Sequence, residues 1–176
     1  MDDLENMQEQ DAQGLEHKIL TLVARMSRDV AEGGLGTGEM AELRRWRLGG
    51  EIQPAAWRLL AQHIFPAGEA VQELENRWLA ILSGMAQMSP HPHRSGAFPG
   101  KVLAGAGFSE NRFHKLLNSR NEAFFDAVDR TCRFLRAKGE PIDWIRFAHF
   151  ILAMDPDKAE SQRRILARGY FSHKPQ

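Results

Sequence analysis

Residues 121–138 read NEAFFDAVDRTCRFLRAK and decide the fold class. The apolar residues of this stretch recur every three or four positions, at Phe125, Val128, Cys132 and Leu135. That spacing places them on one face of a helix. Gly139 follows directly and is typical of a helix C-terminus. The stretch therefore predicts an amphipathic helix that buries one apolar stripe.

Helical spacing also extends to both sides of this stretch. Before it, helices are predicted over residues 15–31, from Thr37 to Gly49, over 54–64 and over 69–88. Two more helices are predicted just before it, near 100–105 and after Ser109. Two others follow it, one from Pro141 and one from Asp155 to about Phe171. The residues predicted to face inward include Val30, Trp57, Ala61 and Val71. Because no β alternation is present, the predicted fold class is all-α.

Residues 89–100 contain three prolines and two glycines and divide the chain nearly in half. We therefore predict a helical bundle of two small helical lobes. The N-terminal lobe is expected at 15–88, the linker at 89–100 and the C-terminal lobe at 101–176. Residues 1–14 are polar and are predicted to form a flexible N-terminus.

The charge of the chain is balanced overall and uneven along its length. Formal net charge is zero, yet residues 1–32 carry eight acids and three bases, whereas residues 101–176 carry fourteen bases and nine acids. A partner responds to this local field more than to the net charge. Cys132 is the one cysteine, which suits a reducing compartment. With no signal-like segment and no apolar run of about 20 residues, the sequence predicts a soluble, cytoplasmic protein without a membrane partner.

Two loop motifs resemble ligand sites only in part. GAFPGK, residues 96–101, is one residue short of a phosphate loop, and Val102 lacks the hydroxyl that would bind magnesium. His91 and His93 lie between prolines, and no third cysteine or histidine follows at a recognised metal-binding spacing. Both motifs are predicted to be ordinary loops, without a metal or cofactor.

Neither a nucleophile nor a carboxylate pair is convincing. Cys132 falls on the apolar stripe, so a small core residue is the better interpretation. Asp155 and Asp157 are explained by helix capping and the helix dipole. The sequence therefore predicts no catalytic residue and no enzyme activity.

Basic residues on the predicted helices are the most informative feature. Arg44 and Arg45 precede Trp46, and Arg112 and Lys115 flank Phe113. Further basic residues follow at Arg120, Arg130, Arg133, Arg136, Arg163, Arg164 and Arg168. Arginine outnumbers lysine among them, as suits bidentate phosphate contacts. A solvated helix face is the alternative interpretation, because several acids lie nearby in the sequence.

Three segments together resemble the CasB family, the small subunit of type I-E CRISPR Cascade complexes. They are GEMAELRR at residues 38–45, GFSENRFHKLL at 107–117, and the closing pair PIDW at 141–144 with RILARGYF at 164–171. Their order and spacing agree with that family over roughly residues 37–171. The resemblance implies an all-helical, non-catalytic subunit.

The resemblance also implies partners and a binding surface. The implied partners are the large subunit and backbone subunits of Cascade, a second copy of the chain, the crRNA and the non-target strand of the target DNA. The implied nucleic-acid-binding residues that match the family motifs are Arg44, Arg45, Arg112, Arg164 and Arg168. Charge and helical position add Lys115, Arg120, Arg133, Arg136 and Arg163. The expected function is to stabilise the crRNA-guided R-loop and to bridge other subunits.

Two other functions remain open from the sequence. A helical protein–protein adaptor would carry the same arginines as solvated or salt-bridged residues. A helix-turn-helix DNA-binding regulator could use residues 109–117 as its recognition helix.

Overall fold

The computed structural model describes residues 2–66, 68 and 70–173, with side chains from residue 13 onward. Its α-helices are α1 (Asp2–Ser27), α2 (Thr37–Arg45), α3 (Pro54–Leu59), α4 (Gln72–Met88), α5 (Pro99–Gly105), α6 (Glu110–Asn118), α7 (Asn121–Lys138), α8 (Trp144–Leu152) and α9 (Pro156–Phe171). A 3-10 turn at Val30–Glu32 follows α1, and a π-helical turn at Leu60–Ile64 follows α3. The described residues contain no strand, only an isolated bridge between His93 and Ile142. The all-α prediction is confirmed.

Helix α4 lies at the centre of the fold. Every residue from 78 to 88 is buried, and the helix packs against α7 most extensively and also against α1, α2 and α8. Gly84 permits the close approach of two of these helices, because a Cβ atom there would lie 2.7 Å from both Cys132 Sγ and a Trp144 ring atom. The apolar stripe of residues 121–138 thus packs against α4.

Helices α5, α6 and α9 form a second packed group. The backbones of α5 and α9 meet at Gly100 and Gly169, where a Cβ atom on Gly169 would lie 3.5 Å from Gly100 Cα. Tyr170 of α9 stacks on Phe113 of α6, with ring centroids 3.9 Å apart and planes inclined by 9°. The Tyr170 hydroxyl also donates a hydrogen bond to the carbonyl oxygen of Phe108. These contacts fix the start of α6 against α9.

The segment between α4 and α5, part of the predicted linker, is irregular from residue 89 to 98, and backbone hydrogen bonds hold it to the rest of the fold. Arg94 N donates to Ile142 O over 3.0 Å, and Asp143 N donates to Ala97 O over 2.8 Å. Residues 99 and 100 already belong to α5. One hydrophobic cluster runs from Ile19 in α1 to Tyr170 in α9. The division into two lobes stays a prediction.

Some positions differ from the sequence prediction. Val30, Trp57 and Val71 were predicted to face inward, but they are 65%, 49% and 62% exposed, and Ala61 is exposed as well. Helix α1 ends at Ser27, so Val30 lies beyond it, and Val71 precedes the first turn of α4. In α3 the buried face is instead formed by Ala55, Ala56 and Leu59. Hydrophobic spacing alone placed these residues on the wrong side of a helix boundary or face.

The N-terminal residues and the residues outside the described ranges also concern the predicted divisions of the chain. Helix α1 begins at Asp2, so the backbone of residues 2–14 is helical where the sequence predicted a frayed terminus; their flexibility stays a prediction. Met1, residues 67 and 69, and residues 174–176 lie outside the described residues, as do the side chains of residues 2–12. Residue 69, the predicted start of the fourth helix, is one of these, and α4 begins at Gln72.

Candidate nucleic-acid interface

A groove of about 660 Å³ lies between α6 and α7. The Ser109 Oγ atom caps α6 by accepting a hydrogen bond from Arg112 N at 3.5 Å. Phe113 and Leu116 then face the core. Arg112 and Lys115, one helical turn apart, are exposed and line one wall of the groove. The amphipathic pattern of residues 109–117 thus places Arg112 and Lys115 on the side of α6 that faces away from the core.

Helix α7 provides the opposite wall and most of the apolar lining. Arg130 and Arg133 line the wall, while Cys132 between them is buried toward α4. The apolar lining residues, which we call the floor, are Phe108 from the turn before α6 and Ala123, Ala127 and Phe134 of α7. Polar positions Ser109, Asn111 and Ser119 complete the lining. A polar rim over an apolar floor can contact both the charged and the uncharged part of a ligand.

The α6–α7 groove carries a net positive charge. Within the described part of the chain, the side chains of Arg112 and Lys115 make no hydrogen bond or ion pair. Arg130 lies 4.0 Å from Asp126, and both side chains are exposed. Arg133 is paired with Asp129 at 3.0 Å. Asp126 is the one acid in the lining, against four cations. The groove therefore attracts anions, and its unpaired cations are available to them.

A second hollow, of about 300 Å³, adjoins the first at Ser119, which lines both. Arg77, Arg120 and Arg163 line it together with Phe124 and Phe150. These arginines already have partners. Arg120 Nη1 donates to Ser119 O at 2.9 Å, and Arg163 is paired with Glu160 at 3.0 Å. The second hollow is therefore less available to an external anion than the α6–α7 groove.

The predicted residue set is distributed over the surface. Of the ten predicted cations, the α6–α7 groove brings together Arg112, Lys115 and Arg133, and the second hollow brings together Arg120 and Arg163. Five predicted residues line neither of these two hollows: Arg44, Arg45, Arg136, Arg164 and Arg168. Their contribution to nucleic-acid binding stays a prediction.

Two of those five have structural contacts. Arg44 Nε donates to Ala86 O at 2.8 Å, and burial, reinforced by the charge of Arg136, lowers the pKa of Arg44. Arg164 Nε lies 2.9 Å from Glu160 Oε1. The hydrogen bonds from Arg164 and then Arg163 lower the pKa of Glu160. Arg45 and Arg168 are exposed, and they make no side-chain hydrogen bond or ion pair with any described residue.

Among the groove residues that the sequence-based set omitted are Arg130, Asp126 and Phe134. Arg130 lies one turn before Arg133 on the polar face of α7, so helical spacing was a usable signal. The positions of Asp126 and Phe134 relative to α6 depend on how the two helices pack, and no local pattern reports that.

The rejected chemical candidates have structural contacts. His93 Nδ1 accepts a hydrogen bond from Trp144 N at 3.1 Å, and burial lowers the pKa of His93. Cys132 is fully buried, and burial raises the pKa of its thiol. Asp155 Oδ1 accepts from Asp157 N and Lys158 N at the start of α9. The described residues contain no group of three or more His, Cys, Asp or Glu that could hold a metal ion. None of their helices is long and apolar enough to cross a membrane.

The arrangement defines a class of protein: an all-α domain with a cationic groove between two neighbouring helices. A chain in the solved structure of E. coli Cascade bound to a PAM-containing dsDNA target has this fold, with a TM-score of 0.65 and 18% identity. The match covers 87% of this chain and 96% of that one. No curated protein matches the chain. The family model of CRISPR-associated protein Cse2 matches residues 39–171, and the chain belongs to this family, the CasB family.

Proposed function

We propose that this chain is the small, non-catalytic subunit of a type I-E Cascade complex and that its α6–α7 groove holds the phosphate backbone of the displaced DNA strand. The family assignment and the shared fold with a chain of E. coli Cascade support membership of such a complex. The observation that carries the groove assignment is the pair of facing cationic walls, Arg112 and Lys115 opposite Arg130 and Arg133.

The charge arrangement suits backbone binding that is indifferent to sequence. Each phosphate that reaches an unpaired guanidinium or ammonium group releases condensed counterions, which favours association at low salt. In RNA-guided recognition, base pairing to the guide reads the sequence, so the protein needs to contribute only charge and shape. Because strand exchange is close to balanced energetically, modest contacts to the freed strand shift it toward the open state.

The remaining partners follow from the same proposal. The chain contacts the large subunit, the backbone subunits and a second copy of itself, and it lies close to the crRNA. Arg45 and Arg168, which are exposed and without a described partner, are available for these contacts or for further phosphates. Arg44 acts within the fold, because its guanidinium is committed to Ala86 O.

The test is a triple substitution, Arg112→Gln, Lys115→Gln and Arg130→Gln. The control replaces three exposed cations outside the groove by glutamine in the same way: Arg28, Arg94 and Lys158. Their side chains make no ion pair with any described residue. Binding of a labelled single-stranded oligonucleotide is measured by fluorescence anisotropy at several salt concentrations. The groove variant should lose affinity, and the slope of log K against log salt should become shallower by about 2, at about 0.7 per lost single-strand contact. The control variant should keep the slope.

Assembly into the complex is measured separately with the partner subunits. Normal assembly with weakened target-DNA binding supports the proposal. Failed assembly with unchanged oligonucleotide binding would instead support the protein–protein adaptor and overturn the groove assignment. A groove variant whose salt slope equals that of the control would overturn it as well.

A further inference from the structure

We propose that the floor of the α6–α7 groove binds an unpaired nucleobase against the ring of Phe134, an inference that rests on the proposed function. The ligand is then a single strand that inserts a base between the cationic walls. A duplex, or a polyanion without bases, makes only part of the contacts.

The floor offers an aromatic ring on which a flat apolar group can stack. Phe134 is partly exposed in the lining, and its ring meets the ring of Phe108 edge to face, with centroids 4.9 Å apart and planes inclined by 61°. Phe108 itself is buried, and its carbonyl oxygen accepts the Tyr170 hydroxyl hydrogen bond, so the support beneath Phe134 is fixed. The other two floor residues, Ala123 and Ala127, have small side chains.

The walls complete the site for a nucleotide. Arg112 and Lys115 stand on one side and Arg130 and Arg133 on the other, so phosphates reach the rims while the attached base reaches the floor. Every base has a π-face, and stacking on an aromatic side chain therefore tolerates all sequences. In a duplex the base faces are already stacked and the bases are paired, so only an unpaired base can insert.

Lys138 lies beside the Phe134 ring and is not among the residues that line the groove. Its Nζ atom lies 5.7 Å from the Phe134 ring centroid, which is cation–π distance. The Lys138 side chain is exposed and adds a further cation beside the groove.

The chain offers a matched control on another face. Phe98 is also a partly exposed phenylalanine, and it lies between Lys101, at 5.3 Å, and Arg146, at 4.2 Å from its ring centroid. It lines the hollow between α5 and α9 and shares no lining residue with the α6–α7 groove. A substitution there changes the same chemistry outside the groove.

The experiment compares two labelled strands with equal numbers of phosphates, a deoxythymidine oligonucleotide of about 12 nucleotides and an abasic strand of the same length. Affinities are measured by anisotropy for the full chain and for Phe134→Leu and Phe98→Leu. The unsubstituted chain should bind the thymidine strand about fivefold or more tightly than the abasic one. Phe134→Leu should lose that preference and keep its salt slope, and Phe98→Leu should keep the preference.

Two results would overturn the inference: equal binding of both strands by the unsubstituted chain, or a full preference retained in Phe134→Leu. The strand comparison in the unsubstituted chain needs no variant, so it decides even where Phe134→Leu folds poorly. Failure of the proposed function is a separate result, because it appears as an unchanged salt slope in the groove charge variant. Equal strand affinities with a charge-dependent slope would leave the backbone-binding function in place and remove the base site.

Discussion

The Nε atom of Arg44 donates a hydrogen bond to the carbonyl oxygen of Ala86, 2.8 Å away. This bond joins the last turn of α2 to the buried last turns of α4. Arg44 and Arg45 are adjacent in the motif that resembles the CasB family, yet Arg44 is half-buried and Arg45 is exposed. Two neighbouring arginines of one motif therefore have different roles, the first within the fold and the second at the surface.

We expect Arg44→Gln to lower the free energy of unfolding by about 1–2 kcal/mol, because it removes a charged donor from a partly buried carbonyl. Arg45→Gln is the matched control and should change stability by less than about 0.5 kcal/mol. Urea unfolding followed by circular dichroism measures both. Equal effects of the two substitutions would contradict the structural role of Arg44.

Asp126 is the one acid in the lining of the α6–α7 groove, so its removal should strengthen binding of a single strand. We expect Asp126→Asn to raise oligonucleotide affinity about twofold to threefold at low salt, since exposed charges contribute about 1 kcal/mol or less. The gain should shrink as salt screens the groove. Glu51→Gln removes an acid from an exposed loop and should leave the affinity unchanged. An equal gain in both variants would assign the effect to net charge.

Gly100 lies where the backbones of α5 and α9 meet. A Cβ atom there would overlap the carbonyl oxygen of Leu166 and lie 2.7 Å from Tyr170 N, and backbone atoms cannot rotate away. Gly100→Ala should therefore destabilise the fold by about 1–3 kcal/mol. Gly105→Ala, at the end of the same helix, meets nothing within 4 Å and should be neutral or slightly stabilising. Thermal unfolding of both variants checks this, and similar melting temperatures would refute it.

We expect the folded protein to be less stable in mild acid, because three of its histidines are partly buried. Burial is the main cause that lowers the pKa of His63, His93 and His149. A folded pKa below the unfolded value means that the unfolded chain binds protons first. Their stabilising contribution is therefore present above about pH 6.5 and is lost as the pH falls through the folded pKa values.

Urea midpoints at about pH 7.5 and 5.5 test this, within a window above the range in which carboxylates such as Glu160 titrate. His149→Gln should make the pH dependence shallower, because one of the three groups no longer titrates. A midpoint that does not fall between the two pH values, or a profile unaffected by His149→Gln, would contradict the prediction.

Local patterns in the sequence were sufficient to predict that the chain is helical and to indicate the family, although not every helix boundary. The apolar spacing of residues 121–138, the Ser109 cap of α6 and the Gly139 stop of α7 are properties of short segments, and each appears in the structure. The family motifs are local in the same way, and the match over residues 39–171 confirms the family that they indicated.

The tertiary structure alone decided which cations lie together. Helical spacing places Arg44, Arg112 and Arg133 on polar faces, but only the packing of α6 beside α7 brings Arg112 and Arg133 to opposite walls of one groove. The packing of α2 on α4 commits Arg44 to a carbonyl. A helix periodicity defines directions around its own axis and carries no information about the neighbouring helix. Grooves, ion pairs and buried donors depend on contacts between residues far apart in the chain, and these form only when the core packs.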